Sequence, residues 1–404
     1  MKTNEIIDQE LQYGAHNYHP LPVVLEEGRG VYVWDVDGKR YYDCLAGYSA
    51  LNQGHCHPRI LEVLIKQASQ LTLTSRAFHS DTLAPYMEYM CTVFGYEKLL
   101  PMNTGAEAVE TALKLARKWG YKHKGVKENE AIIVVCSENF HGRTISIISF
   151  SSDPQSYKGF GPYTPGFVSI PYNDSEALRE VLQDPRVVGF LVEPVQGEAG
   201  VIVPDPGYLS TCFDYCQEAN VLFIADEIQS GMGRTGKLLA CDYDEVHPDI
   251  LILGKALSGG FFPISAVLSS DEVILSINPG EHGSTFGGSP LSARVAQKAV
   301  EVLLEENMVQ NAYLMGEMFR EEIRKITSPY IKSVRGKGLM NAIEINAHHN
   351  IDAWQICLLL MEEGVLAKPT HEHTIRFTPP LIIDSEQMTE VILIIQRVFG
   401  HLPV

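Results

Sequence analysis

Five short apolar runs punctuate the middle of the chain: AIIVVC (131–136), VGFLVEP (188–194), VLFIAD (221–226), DILILG (249–254) and ISAVLS (264–269). A strand with one wet face alternates apolar and polar residues, and these runs do not. Each therefore reads as a strand covered on both faces, as in a parallel or mixed sheet with helices on either side. The segments between them supply helices. In MNTGAEAVETALKLARKWGY, residues Val109, Ala112, Leu113 and Ala116 fall on one helical face. Further helical stretches run from Pro58 to about Leu73 and from Pro290 to about Asn307. The expected class is α/β.

The chain ends read differently. VYVWD and KRYYD flank a turn at Asp37-Gly38 and predict a hairpin. GKGLMNAIEI, a helix near 352–363, TIRF and a helix from Ser385 describe a smaller α+β unit. The 404 residues allow two or three domains. A large central domain is expected, with chain start and chain end as candidates for a second.

Composition excludes several classes of function. Apolar residues make up 45% and charged residues 20%, which is ordinary globular usage rather than disorder. With 32 Lys+Arg against 50 Asp+Glu the net charge is -18, which argues against a nucleic-acid partner that needs a basic face. No apolar run reaches the length of a membrane span. MKTNEIIDQE has neither a signal-peptide core nor an Arg-rich transit pattern, so a cytoplasmic location is expected. The eight cysteines are scattered without a C-x-x-C, and Cys136 in AIIVVC reads as a small buried thiol. His55-Cys56-His57 and His371-Glu372-His373 have no second ligand cluster at metal-site spacing, so no metal is expected.

Chemistry is written at the strand ends. Asp226 closes the apolar run VLFIAD, at the sheet edge where open α/β sheets place ligands. A helix cap or structural ion pair is the plainer account of it. Lys255 follows DILILG and precedes Ala-Leu-Ser-Gly-Gly, a setting that suits a desolvated amine able to form a Schiff base. An exposed lysine in a turn would look the same. Thr104-Gly105-Ala106 opens a helix, whose free amides favour an anion such as phosphate. Gly283-Ser284-Thr285 with Gly287-Gly288 forms a second small hydroxyl-bearing loop. Gly231-Met-Gly-Arg-Thr-Gly236 matches the dinucleotide fingerprint G-x-G-x-x-G, but no amphipathic helix follows it, so it is poor support for such a site. A carboxylate for a pyridinium nitrogen, a lysine for an aldehyde and a helix start for a phosphate together describe pyridoxal phosphate.

The chain then resembles the class III, fold type I, pyridoxal-phosphate-dependent aminotransferases. The resemblance runs through YGAHNYHPLPVV, SALNQGHCHPRI, LTLTSRAFHSD, PMNTGAEAVETALKLARKWGY, VEPVQGEAGVIVPDPGYL, VLFIADEIQSGMGRTGK, LGKALSGG, PGEHGSTFGG, VRGKGLMNAIEI and IRFTPPL, essentially the whole chain. It implies a large domain with a mostly parallel central sheet over 51–300. A smaller α+β domain would be built from 1–50 and 301–404. It also implies the catalytic pair Lys255 and Asp226, with Gln229 at the ring hydroxyl and Phe140 stacked on the ring. Gly105 and Ala106 would bind phosphate, and Ser284 and Thr285 would reach the phosphate of a partner subunit across a homodimer interface. His141, next to Phe140, is expected as a packing residue beside the cofactor.

For substrates, the resemblance is to family members acting on ornithine and 2-oxoglutarate. It implies that Arg143 holds the ornithine α-carboxylate and later the distal carboxylate of 2-oxoglutarate. Arg376 would bind the α-carboxylate of 2-oxoglutarate, with Glu198 silencing it during the first half-reaction. Tyr18 and Tyr48 would line the ornithine side, Tyr18 near the α-amine. Acetylornithine or 4-aminobutyrate transamination on the same scaffold remains open. So do a nicotinamide dehydrogenase using the 231–236 loop and an idle protein of the same fold.

Overall fold

The computed structural model describes residues 2–346 and 351–402. After a helix at Thr3–Tyr13, strands β1 (Leu25–Arg29), β2 (Tyr32–Asp35) and β3 (Arg40–Asp43) form an antiparallel meander, with β2 and β3 the predicted hairpin. The central strands follow: β4 (Lys98–Met102), β5 (Ile132–Cys136), β6 (Phe167–Ile170), β7 (Val187–Val192), β8 (Leu222–Asp226), β9 (Ile250–Leu253) and β10 (Ser265–Ser269). They make one sheet in the order β4-β10-β9-β8-β7-β5-β6. Strands β6, β5, β7, β8 and β9 run parallel to one another, and β10 runs against both of its partners, β9 and β4. The fold is the α/β class with a mostly parallel central sheet.

The unbroken apolar runs are explained by two covers. Along β7 every residue is buried, and successive side chains serve opposite cores. Leu191 packs with Val109, Leu113 and Ala116 of the helix Gly105–Trp119. Phe190 and Val192 pack with Leu209, Cys212 and Cys216 of the helix Tyr208–Glu218. All five predicted strands are present to within a residue or two at each end.

The edge strands β4 and β6 escaped the sequence reading. KLLPM holds Pro101, which cannot donate to a ladder and is tolerated here because β4 is an edge. The helix from Pro58 stops at Ala68, short of the β-branched LTLTS segment, and the helix from Pro290 ends at Glu305. A domain boundary at 300 thus falls inside a helix.

The remaining strands are β11 (Ile331–Lys337), β12 (Met340–Ile345), β13 (Val365–Leu366), β14 (Lys368–Thr370) and β15 (Thr374–Phe377). The order β11-β12-β15-β14 gives a separate antiparallel sheet, while β13 pairs parallel with β3. Chain start and chain end therefore share a sheet, flanked by the helices Ala353–Glu362 and Ser385–His401.

Phe190 is fully buried and meets the Phe223 ring edge-on at 5.7 Å. Phe190→Ala should cost about 3–5 kcal/mol of stability through the cavity it leaves. Denaturant unfolding checks this, and a loss below about 1 kcal/mol would mean that the two-cover packing is misread.

Candidate active site

The C-terminal ends of four parallel strands deliver the polar groups. Phe140-His141-Gly142 follows β5, Glu193 follows β7, Asp226 ends β8, and Lys255 follows β9 by one glycine. With the start of the helix Gly105–Trp119 they enclose a cavity of about 190 Å³. Seven predicted residues line it: Gly105, Ala106, Phe140, His141, Asp226, Gln229 and Lys255. A larger groove of about 820 Å³ lies elsewhere, along Lys66, Gln67 and Arg294. Chemistry belongs to the smaller cavity, where titratable groups converge in buried surroundings.

Lys255 adopts φ +44°, a left-handed conformation that costs a non-glycine residue roughly 1–2 kcal/mol. Burial pulls its amine down to about 8, against the upward pull of Glu198. Asp226 is buried, and its Oδ2 lies 2.7 Å from His141 Nδ1 while Oδ1 accepts from Ile228 N–H. Burial opposes a charge on His141, but the hydrogen bond to Asp226 and the charges of Asp226 and Glu193 together outweigh it, and the ring titrates above its ordinary range. His141 is thus more than the packing residue expected of it.

Glu193 was given no role by the sequence reading. Burial pushes its carboxyl up to about 7, and Oε2 accepts from Phe140 N–H at 2.9 Å. The signal was available, since Glu193 closes a buried strand just as Asp226 does. Gly142 takes φ +124°, and a Cβ there would meet the Ala106 side chain at 3.0 Å. Glycine is what lets the β5 loop approach the phosphate-type helix start.

That start is capped by Thr104, whose hydroxyl accepts from Glu107 N–H while the Glu107 carboxylate accepts from Thr104 N–H. The next amides, of Gly105 and Ala106, have no intrahelical acceptor and point with the positive end of the helix dipole.

A second cluster borders the first. Arg376 on β15 is buried, and its Nη1 lies 2.7 Å from Glu198 Oε1. Gln229 Nε2 donates to the same oxygen at 3.3 Å, so Gln229 joins the two clusters. Burial works against the Glu198 charge, yet Arg376 prevails and holds the carboxyl below its ordinary range. The guanidinium sits 5.0 Å from the Tyr48 ring centre. Tyr48 lies in a left-handed turn, Ala46 to Ser49, with φ of 48°, 55°, 57° and 72°. Only Gly47 takes this freely, and Asp43 steadies it by accepting from the N–H groups of Leu45 and Ala46. Burial raises the Tyr48 phenol above its ordinary range.

Seven predicted residues lie outside the cavity lining: Tyr48, Glu198 and Arg376 form the second cluster, and four others belong to neither. Tyr18 is 78% exposed, and Thr285 and Arg143 are exposed too, with the Arg143 guanidinium 5.7 Å from the Phe140 ring centre. Ser284 accepts from Asn103 Nδ2 at 2.7 Å, beside the helix cap.

The residues present fit pyridoxal phosphate. A softened amine, a buried carboxylate, an aromatic ring and a pair of free helix-start amides surround one cavity with a glycine-shaped wall. Among the described residues no group of three or more potential metal ligands occurs, and no helix is long and apolar enough to cross a membrane.

Comparison with known proteins agrees with the geometry. A family model described as Aminotransferase class-III matches residues 13–399. The chain is 59% identical to the mitochondrial ornithine aminotransferase of Drosophila melanogaster over 389 residues, covering 96% of this chain and 90% of that protein. A solved ornithine aminotransferase of Toxoplasma gondii, with partial occupancy of PLP at its active site, superposes with a TM-score of 0.98. It is 48% identical, over 99% of this chain and 94% of that one. A solved acetylornithine aminotransferase of Elizabethkingia anophelis gives 0.92 and 54% identity over 99% of each chain.

An amine whose pKa is lowered to about 8 is neutral, and so nucleophilic, at lower pH than an ordinary lysine. Uptake of pyridoxal phosphate by the stripped protein, followed by absorbance, should accelerate as pH rises and level off above about 8. A rate still climbing steeply near the ordinary lysine range would contradict the burial argument.

Proposed function

The chain belongs to the class III aminotransferases, and from that premise we propose that it transfers the δ-amino group of L-ornithine to 2-oxoglutarate with pyridoxal 5′-phosphate as cofactor. The products are glutamate and glutamate-5-semialdehyde, which cyclises to pyrroline-5-carboxylate. When bound, the cofactor supplies an aldehyde carbon and a protonated ring that withdraws electrons from the substrate. Lys255 holds it and, once released, moves a proton at the reacting substrate carbon. Asp226, paired with His141, would hold the ring nitrogen. Gln229 would meet the ring hydroxyl, Phe140 would cover the ring, and the Gly105 and Ala106 amides would bind phosphate.

The observation that carries the reading is the Arg376–Glu198 pair beside Tyr48. The δ-carbon of ornithine bears no carboxylate, so a free arginine beside the reacting carbon would have nothing to bind. Glu198 covers it. The keto carbon of 2-oxoglutarate does bear a carboxylate, and Arg376 then exchanges Glu198 for it in a charge-assisted pair. Arg143 takes the carboxylate at the far end in both halves, and Tyr18 and Tyr48 flank the ornithine side.

Exposed Thr285, with half-buried Ser284 beside it, supports a homodimer in which each subunit completes its partner's phosphate site. The same proposal divides the chain into a cofactor domain over 51–300 and a small domain from 1–50 and 301–404, supported by the β3–β13 pairing. Eight free cysteines suit a reducing compartment. We place the protein in the cytoplasm; the Drosophila relative is named as mitochondrial, and cell fractionation decides between them. The likeness to an acetylornithine enzyme keeps that substrate as the second reading.

Comparing kcat/KM for ornithine, N-acetylornithine and 4-aminobutyrate tests the assignment. Ornithine should lead by at least about tenfold, the size of one well-made polar contact. Preference for N-acetylornithine would move the enzyme to the sister activity. Lys255→Ala should lower turnover by at least about a thousandfold and remove the visible absorbance of bound cofactor. Retention of both would end the transaminase reading.

A further inference from the structure

The loop Gly231–Gly236, which mimics a dinucleotide fingerprint, plays no part in the reaction above. It holds Arg234, whose side chain is fully buried at 0% exposure. Nη1 donates to the carbonyls of Leu339 (2.9 Å) and Pro379 (2.6 Å), and Nη2 donates to Asn52 Oδ1 (2.6 Å). All three acceptors are neutral. A buried guanidinium hydrogen-bonded only to neutral acceptors is costly to desolvate, and burial pulls its pKa down to about 9 against the upward pull of the Asp43 charge. What Arg offers at that cost is a planar fork of directed donors.

The backbone closes the same knot. Leu339 N–H donates to Arg234 O, Asn52 Nδ2 to Met232 O, and Leu381 N–H to Asn52 O. Both carbonyls gripped by Arg234 lie at the roots of the strands that carry the carboxylate site. Leu339 immediately precedes β12, which pairs with β15 through Ala342 opposite Arg376. Pro379 lies three residues past Arg376. Between them, Thr378 donates its N–H to Cys44 O and its hydroxyl to Leu45 O, at the entry to the left-handed turn bearing Tyr48.

We propose that Arg234 is a positioning residue for the substrate-carboxylate site, fixing Arg376 against Tyr48 and Glu198 by clamping the roots of β12 and β15. The proposal rests on the reading of Arg376 as the group that binds the 2-oxoglutarate α-carboxylate. Shifting a clamp of this kind by about 1 Å can cost up to about a hundredfold. The cost falls on the substrate that needs Arg376. Ornithine, which meets Arg376 covered by Glu198, is largely spared.

The test uses the full-length holoenzyme with Arg234→Met, Arg234→Lys, Arg376→Gln and the double variant Arg234→Met/Arg376→Gln. The two half-reactions are timed separately, and binding of the unreactive dicarboxylate glutarate is measured by calorimetry. Arg234→Met should weaken glutarate and slow the 2-oxoglutarate half-reaction about tenfold, with ornithine changed by less than about threefold. Arg234→Lys should fall between it and the parent. The double variant should be no worse than Arg376→Gln alone, because the clamp acts through Arg376.

Equal losses in both half-reactions, no loss in a folded variant, or multiplying losses in the double variant would each overturn the clamp. If Arg376→Gln itself leaves glutarate binding intact, the role given to Arg376 falls, and the clamp falls with it. Should Arg234→Met not accumulate as folded protein, Asn52→Ala removes one acceptor while leaving the guanidinium charged. It should show the same asymmetry in smaller measure, and its absence overturns the proposal equally.

Discussion

Everything at the site hangs from a sheet that has no wet face. Strands β5, β7, β8 and β9 are covered by helices on both sides, so none can display a polar side chain along its length without burying it among apolar neighbours. Polar chemistry is pushed to the strand ends, and parallel pairing brings the C-terminal ends to one edge. His141, Glu193, Asp226 and Lys255 come from four different strand exits yet share one cavity for that reason. The order of strands adds a place: the chain passes from β5 outward to β6 and returns on the other side of β5 as β7, and the β5 and β7 exits supply His141 and Glu193.

The same burial sets the electrostatics. Each charge in the cavity is expensive alone, and each has been given a partner or a shifted titration. Asp226 has His141, Glu198 has Arg376, and Lys255 and Glu193 respond by moving toward neutrality. The two pairs differ in permanence. His141 and Asp226 are both buried, whereas Glu198 is partly exposed, which suits the proposed exchange of Glu198 for a substrate carboxylate at Arg376. A chain of net charge -18 does not attract dicarboxylates by its overall field, so recognition has to be local.

The legible part of the fold was the part with period and punctuation. Uninterrupted apolar runs marked the buried strands, and Thr104 with Glu107 marked a helix start. The edges were not legible. Residues 98–102 contain Pro101, and an edge strand obeys no core pattern. At the site, position on a strand end revealed Asp226 and should have revealed Glu193. The hydrogen bond from His141 to Asp226 was invisible, because it joins residues 85 positions apart through a loop geometry that no local pattern encodes. The Arg376–Glu198 pair spans 178 positions and was reached only through family resemblance. Left-handed backbone at Tyr48 and Lys255 was equally hidden, since neither residue type favours it.

Those strained residues and the buried Arg234 belong to one physical problem. A turn of consecutive left-handed residues persists only where its surroundings over-determine it. Asp43 holds the amides of Leu45 and Ala46, and Thr378 holds the carbonyl of Leu45 from the far side. Thr378 is itself fixed between Arg376 on β15 and the Pro379 carbonyl gripped by Arg234. The N-terminal turn, the C-terminal strand and the central glycine loop therefore restrain one another through hydrogen bonds to backbone, which are directional and have little slack. The glycine-rich stretch that imitates a nucleotide site has a different use for its missing side chains. At Gly338 a Cβ would sit 2.2 Å from the Thr235 backbone, so glycine is what lets the β11–β12 turn close onto the loop and bring the Leu339 carbonyl within reach of Arg234.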